Sequence, residues 1–404
     1  MNSDTVVMIL AGGKGERLWP LTRDRAKPAV PFGGIYRIID FSLSNAINSG
    51  LRRIFVLTQY KSISLARHIR KGWGFLSYNL GEFIENVPAQ QRLGENWYRG
   101  TADAIWQNAY LLEQLQPRYV LILSGDHVYT MDYAGLLRYH VACGCAATVC
   151  VQEKDVKEAS GLGVVEVDEG MRVTGFEEKP ERPKTVPGKP DRVVGSMGIY
   201  VFNTDFMIER LREAATRDEF DFGHGVLPGM IRDGLDVRAY VYGGGAPAYW
   251  RDVGTIESYW SANMDLVGTS PELNLYDDDW PIRTHQGQYP PVKFLYAEAS
   301  EGGRMGIAVD SIVSTGTIVS GGRIQRCVLS PRVRTNSYSY AFECIFMEDV
   351  DIGRYAKLRR VIVDKGVKIP PRTQIGYDRE EDARRFTITD NGIVVVPKGY
   401  KFGQ

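Results

Sequence analysis

Leu10-Ala-Gly-Gly-Lys-Gly-Glu-Arg-Leu18 sets three glycines, Gly12, Gly13 and Gly15, and two cations, Lys14 and Arg17, directly behind the apolar run Val6 to Leu10. Glycines lack a Cβ, so successive backbone N–H groups there can turn towards phosphate oxygens. Lys27, in Arg25-Ala-Lys-Pro28, would add charge. The Walker pattern and the dinucleotide fingerprint are both absent. A Gly-rich turn after a first strand can also be a mere tight connection, so other residues must decide.

Two acids extend the case. Asp126, in Ser124-Gly-Asp126-His-Val-Tyr129, follows an apolar run, and Asp252 lies in Tyr249-Trp-Arg-Asp252-Val-Gly-Thr255. In a doubly wound sheet both can converge beside the glycine loop, where two carboxylates and nucleotide phosphates would hold Mg²⁺. Each acid alone could equally be a helix cap. Lys179, in Phe176-Glu-Glu-Lys179-Pro180, ends a strand-like run and suits a phosphate monoester; a solvated Glu–Lys pair would look the same. Gln90 and Gln91 carry amides able to read a base edge, and the stretch from Trp97 to Ala104 brings Gly100 for close approach. Trp97 and Tyr98 would serve equally well in a core. Lys14, Arg17, Lys27 and Lys179 together match the charge of a pyrophosphate and a sugar phosphate. No nucleophile can be argued from spacing, and phosphoryl-type transfer needs none, because positioning and charge neutralisation carry it.

These residues need a scaffold. Val6 to Leu10, Arg53 to Thr58, Val120 to Ser124 and Ala146 to Val151 read as strands. Helical patterns lie at Ser42 to Ser49, Ser62 to Arg70, Ala102 to Gln114 and Tyr133 to Cys143. Such alternation predicts an α/β fold with a mostly parallel sheet and ligands at the strand C-termini. Glu272 to Pro291, rich in Asp, Pro and aromatics, reads as a linker. Beyond residue 305, Ile312, Ile318 and Ile324 recur at six-residue intervals, as do Val350, Ala356 and Ile362, and, in another register, Val361, Val367 and Thr373. That period predicts a parallel β-helix, with a chance-spaced β-sandwich as the alternative. The period slips between about 327 and 349, where an interruption or loop is expected. The resulting division is a catalytic domain at 1–265, a linker at 266–304 and a β-helix at 305–404.

Lys plus Arg and Asp plus Glu number 49 each in 404 residues, which argues against a general nucleic-acid or anionic-membrane binder. No basic, apolar leader opens the chain and no run of about 18 apolar residues occurs, so a soluble cytoplasmic protein is expected. Five cysteines, three of them at Cys143, Cys145 and Cys150, lack metal-site spacing and are expected as reduced, packed thiols.

Taken together, Leu10–Leu18, Arg25-Ala-Lys-Pro-Ala-Val30, Phe32-Gly-Gly34, Arg37-Ile-Ile-Asp-Phe41, Ser44-Asn45, Thr58-Gln-Tyr60, Pro88-Ala-Gln-Gln-Arg92, Trp97–Ala104, Gly125-Asp-His127, Glu178-Lys-Pro180, Ser196–Phe202 and Tyr249–Thr255 resemble the bacterial glucose-1-phosphate adenylyltransferases, over residues 6 to 396. The resemblance implies a nucleotidyltransferase-type α/β domain followed by a left-handed β-helix, assembled as a homotetramer. It implies that ATP and α-glucose 1-phosphate give ADP-glucose and pyrophosphate, the sugar donor for glycogen-like α-glucan. Asp126 and Asp252 would bind Mg²⁺, while Arg17 and Lys27 would meet the ATP phosphates. Gly12, Gly13, Gly15, Gln90 or Gln91, Tyr98 and Gly100 would sit at the nucleotide. Glu178, Lys179, Ser196, Tyr200 and Asp221 would hold glucose and its phosphate.

Two departures stand out. Asp24 occupies the position where the enterobacterial branch carries a lysine for sugar-bisphosphate activation, so a phosphorylated activator would be repelled there. Arg25, Arg37, Lys365 and Lys398 match other basic members of that cluster, and an anionic effector site between catalytic domain and β-helix is expected. The second departure is Asp221-Phe-Gly-His224-Gly225. Gly15-Glu-Arg-Leu-Trp-Pro20 is also similar to GDP-mannose pyrophosphorylases, and thymidylyl and uridylyl relatives share the chemistry. A catalytically silent regulatory subunit is the alternative from another class, although Asp126, Lys179 and the basic loop residues are all present.

Overall fold

The computed structural model describes residues 4–92, 95–245, 248–298 and 303–403. Strand Thr5–Ala11 is buried along nearly its whole length, as an apolar run in the middle of a two-faced sheet must be. It pairs in parallel with Arg53–Thr58 on one side and Tyr119–Ser124 on the other. Phe83–Pro88 extends the parallel edge. On the other flank Arg192–Asn203 runs antiparallel between Tyr119–Ser124 and Ala147–Asp155, and Val237–Val241 closes that side. Gly163–Val167 and Val173–Glu178 add an antiparallel hairpin beside Arg192–Asn203, so the sheet is mostly parallel with two reversed strands, the longer unanticipated by the αβ alternation because no helix precedes it.

Register then decides what meets what. Leu10 lies opposite Ser124 and Ala11 opposite Thr58, so the glycine loop, Gln59 and Gly125-Asp126 leave the sheet at one edge. Gly125 is required there: a Cβ would come 2.8 Å from Ile39 Cδ1 and 3.1 Å from the Leu10 carbonyl. Asp252 arrives by a separate two-stranded ribbon in which Trp250–Asp252 pairs antiparallel with His127–Tyr129, Asp252 opposite His127.

The helical pattern read as one element from Ala102 to Gln114 is two helices, Thr101–Gln107 and Ala109–Leu115, broken at Asn108. Asn108 has φ −110° and ψ 12°, and its side-chain amide donates to the Ala104 carbonyl at 2.8 Å and to the Tyr98 hydroxyl at 2.8 Å. Asparagine competes with the helix for its own backbone partners, which explains the break.

The C-terminal strands stack in three sheets, parallel but for Thr387–Ile388, which runs antiparallel to Val394–Val396, and form the left-handed β-helix. No loop interrupts it between 327 and 349, contrary to expectation; strands Val328–Leu329, Arg334–Thr335, Tyr340–Phe342 and Ile345–Phe346 fill that stretch. Register pairs such as Val328 with Ile345, Arg334 with Asp351 and Tyr340 with Lys357 show the reason: one coil takes 17 residues. Cys327, Val333, Ser339, Cys344, Val350, Ala356, Val361 and Val367 are all buried and step by six, six and five. The two registers seen in sequence are one series with a residue dropped per coil. The corner residues before these positions, Arg326, Arg332, Tyr338, Glu343, Asp349, Tyr355 and Arg360, have positive φ without being glycine. Stacking helps to offset that cost: the Tyr338 and Tyr355 rings lie 4.9 Å apart at 12°, and Arg372 covers Tyr355.

Val328, Ile345, Ile362 and Val395 on one β-helix face share a buried apolar cluster with Phe32, Phe41, Ile256 and Tyr259 of the catalytic half. A buried ion pair crosses the same boundary, Arg25 Nη2 to Asp364 at 2.8 and 3.0 Å. Between the halves, the linker segment packs through Trp280, which donates to Asn45, and Arg283, whose N–H donates to Ser44. Cys145, Cys150, Cys327 and Cys344 are buried thiols; Cys143 is exposed rather than packed, and all five are free.

Candidate active site

A cleft of about 770 Å³ opens at the sheet's C-terminal edge, lined by the glycine loop, Arg17, Lys27, Tyr98, Gly100, Asp126, Glu178, Lys179, Tyr200 and Asp221. Gly15 is left-handed, and a Cβ on it would meet Thr22 Cγ2 at 3.0 Å and Lys27 Cβ at 3.1 Å. Thr22 Oγ1 donates to the Gly15 carbonyl at 2.9 Å and pins the turn. Gly12 packs on Gln59, whereas nothing lies within 4 Å of a Cβ on Gly13, so that face of the loop is open to a guest.

At the floor, Lys27 Nζ donates to Asp126 Oδ2 at 2.8 Å and to Asp252 Oδ1 at 2.8 Å. The Lys27 side chain is 8% exposed, while those of Asp126 and Asp252 are 30% and 24% exposed, Asp126 lining the cleft. Ser124 Oγ donates to the other oxygen of Asp126, and His127 Nε2 lies 3.6 Å from it. Burial by itself would raise the Asp126 carboxyl, but the Lys27 charge, with His127 and the Ser124 hydroxyl, holds it below the usual carboxylate range. Burial likewise pulls Lys27 down, and the two carboxylates more than reverse it, keeping the ammonium charged. Arg17 stands beside Asp252: a Cβ on Gly254 would be 3.1 Å from Arg17 Nη2 and 3.0 Å from Asp252 Oδ1.

These donors fit a hard divalent cation. Ligand atoms of Asp126, His127 and Asp252 all lie within 4.8 Å of one another, and an ammonium already sits between the two carboxylates as a stand-in cation.

On the other wall Lys179 Nζ pairs with Glu178 Oε1 at 3.0 Å and keeps 51% of its side chain exposed. Tyr200 OH lies 3.4 Å from Ser196 Oγ, across a kink made by left-handed Gly198, and burial pushes the phenol up to about 12. Phe222 packs against Tyr200 at 5.5 Å between ring centres. Asp221 Oδ1 accepts from Thr101 N at 2.9 Å and Thr101 Oγ1 at 3.0 Å, so it also caps helix Thr101–Gln107. Gly100 admits no side chain, since a Cβ would lie 2.4 Å from the Phe220 carbonyl.

The structure does not bring every expected residue here. Gln90 lines a separate small hollow with Arg92, Tyr98 and Tyr110, and exposed Gln91 donates to the Glu95 carbonyl at 2.6 Å. Gln59, Tyr60, Arg99 and Thr101, quoted in motifs but given no role of their own from sequence, line the cleft, as does His224 of the departing Asp221–Gly225 stretch. Gln59 was findable, because it directly follows a strand adjacent to the first.

Arg37 and Lys365 meet in a second cleft of about 440 Å³ between the halves, with Arg67, His68, Lys71 and His285. Burial and neighbouring cations lower the Lys365 ammonium, which Glu348 partly offsets through a 3.1 Å ion pair. Arg25 lies beneath, taken up by Asp364. Lys398 is not among the lining residues; its carbonyl accepts from Arg23, which also pairs with Asp24 at 2.9 Å.

A glycine loop, two convergent acids and a lysine on the opposite wall of the cleft, on a mostly parallel sheet, are the arrangement of a nucleotidyltransferase. The nucleotidyl transferase family model matches residues 6–268, and the GlmU-like C-terminal hexapeptide model matches 290–396. Proteins named glucose-1-phosphate adenylyltransferase from Koribacter versatilis and Rhodopirellula baltica are 52% and 51% identical, over 98% and 99% of this chain and 96% and 91% of their own. The corresponding protein of Nitrosococcus oceani is 50% identical over 98% of this chain and 94% of its own. The chain belongs to the glucose-1-phosphate adenylyltransferase family. No helix among the described residues is long and apolar enough to cross a membrane.

Proposed function

We propose that this enzyme transfers the adenylyl group of ATP to α-glucose 1-phosphate, releasing pyrophosphate and forming ADP-glucose, with Mg²⁺ as its cation. The observation that carries this reading is the convergence of Asp126 and Asp252 on one ammonium beside an open glycine loop. Backbone N–H groups of Gly12, Gly13 and Gly15 with Arg17 and Lys27 bind the triphosphate. Tyr98 and Gly100 border the nucleoside. Lys179 meets the sugar phosphate, while Glu178, Ser196, Tyr200 and Asp221 orient the glucose hydroxyls.

Asp126 and Asp252 would hold Mg²⁺, which when bound supplies charge neutralisation for the departing pyrophosphate. The residues themselves do the positioning. Lys179 holds the sugar phosphate so that its oxygen faces the α-phosphorus, and the rigid loop fixes the other reactant. An oxygen of glucose 1-phosphate attacks in line, the bond to the β-phosphate oxygen breaks, and Arg17 and Lys27 balance the charge that develops there.

The second cleft supports a binding site for anionic metabolite effectors at Arg37 and Lys365, and the β-helix supports assembly as a homotetramer. Substrate choice is tested by pyrophosphate release with glucose 1-phosphate and ATP, UTP, dTTP or GTP, and with GTP plus mannose 1-phosphate. Preference for ATP with glucose 1-phosphate is expected; preference for another pair would overturn the assignment of base or sugar.

A further inference from the structure

We propose that the Lys27 ammonium competes with the divalent cation for Asp126 and Asp252, so that metal loading releases Lys27 towards the glycine loop and readies it for phosphate. The inference rests on reading the two acids as the metal ligands.

The ammonium lies 2.8 Å from one oxygen of each acid, in the space that a cation shared by them would need. Both cannot occupy that space at once. One positive charge facing two carboxylates leaves the group net negative, which a divalent ion corrects, so exchange is favourable once nucleotide phosphates await the displaced lysine.

The surroundings determine which partner moves. Asp126 is kept in place by Ser124, and Asp252 is held by its ribbon, in register opposite His127. The Lys27 backbone is fixed in the turn Lys27–Ala29, where the Val30 N–H donates to the Lys27 carbonyl at 3.0 Å and Pro28 restricts the chain. The long, flexible side chain is therefore the free variable. Its Cβ lies 3.1 Å from where a Cβ on Gly15 would stand, so a released ammonium reaches the phosphate loop by side-chain rotation alone. Metal and nucleotide binding then reinforce each other, and the coupling must be reciprocal.

Mn²⁺ binding to the full-length protein, followed by electron paramagnetic resonance without nucleotide, tests this. Lys27→Gln is expected to bind Mn²⁺ about tenfold more tightly than wild type, the loss of a competing cation being about 1.4 kcal/mol. In wild type, saturating Mn²⁺ is expected to raise reductive methylation of Lys27, read by mass spectrometry, severalfold. The methylation arm stands on its own if Lys27→Gln does not fold. Unchanged affinity in folded Lys27→Gln, or unchanged Lys27 labelling with Mn²⁺ bound, would overturn the exchange while leaving the metal ligands intact. Mn²⁺ binding undiminished in both Asp126→Asn and Asp252→Asn would instead remove the acids from the metal site, and the exchange with them.

Discussion

Lys27 and Asp252 stand 225 residues apart in the chain, and their side chains meet at 2.8 Å on the cleft floor. Lys27 reaches the site on a short turn after the glycine loop, whereas Asp252 comes on a ribbon laid against His127–Tyr129. The pairing joins both ends of the nucleotidyl transferase domain at the cleft floor, so either residue can fail through folding as well as chemistry. Variants there need a structural readout beside the kinetic one.

Lys179→Ala should raise the KM for glucose 1-phosphate at least tenfold while changing that for ATP by less than threefold, since one charge–phosphate contact contributes about 1.5–3 kcal/mol. Initial rates with each substrate varied in turn give the two constants. Equal effects on both would place Lys179 outside the sugar-phosphate subsite.

Asp364→Ala should lower the unfolding free energy by about 3 kcal/mol, because it strands Arg25, whose side chain is only 5% exposed. Replacing the pair together, Arg25→Met with Asp364→Leu, should recover most of that loss. Denaturant titration of the three proteins reads the difference. A single variant as stable as wild type would mean that the apolar face alone joins the halves.

Stability should also fall in acid through His140. Burial against Tyr119 and Thr148 lowers this imidazole from 6.5 to about 4, so the folded state binds fewer protons than the unfolded one. Its contribution is present in full above pH 6.5 and drains away as pH falls towards 4, amounting to about 3 kcal/mol. Unfolding free energies of wild type and His140→Gln, measured at steps across that window, should differ in slope. Parallel curves would show that His140 is not the group responsible.

Much of this was legible in sequence, for identifiable reasons. The parallel strands announced themselves as apolar runs, because strands covered on both faces have no polar side to show, and the loop and Asp126 were visible as residues at strand ends, whereas Asp252 was read from its motif alone and arrives on a ribbon with no sequence signal. Arg192–Asn203 was hidden, since antiparallel insertion leaves no alternation signal, and Asn108 split a helix whose apolar period continues across it. The β-helix period appeared to break because each coil drops one residue, and polar corners such as Arg332 and Asp349 take a backbone conformation usually given to glycine. Thr101 was given no role because what places it in the cleft is a carboxylate 120 residues away, which is not local.

The central claim is that Asp126 and its partner acid carry the transfer. The most direct measurement is the turnover of Asp126→Asn with ATP, glucose 1-phosphate and Mg²⁺, with circular dichroism verifying the fold. Loss of the cation's hold on the departing pyrophosphate is expected to lower kcat by at least about a hundredfold, roughly 3 kcal/mol, in a protein that remains folded. A folded variant turning over within twofold of wild type would contradict the account.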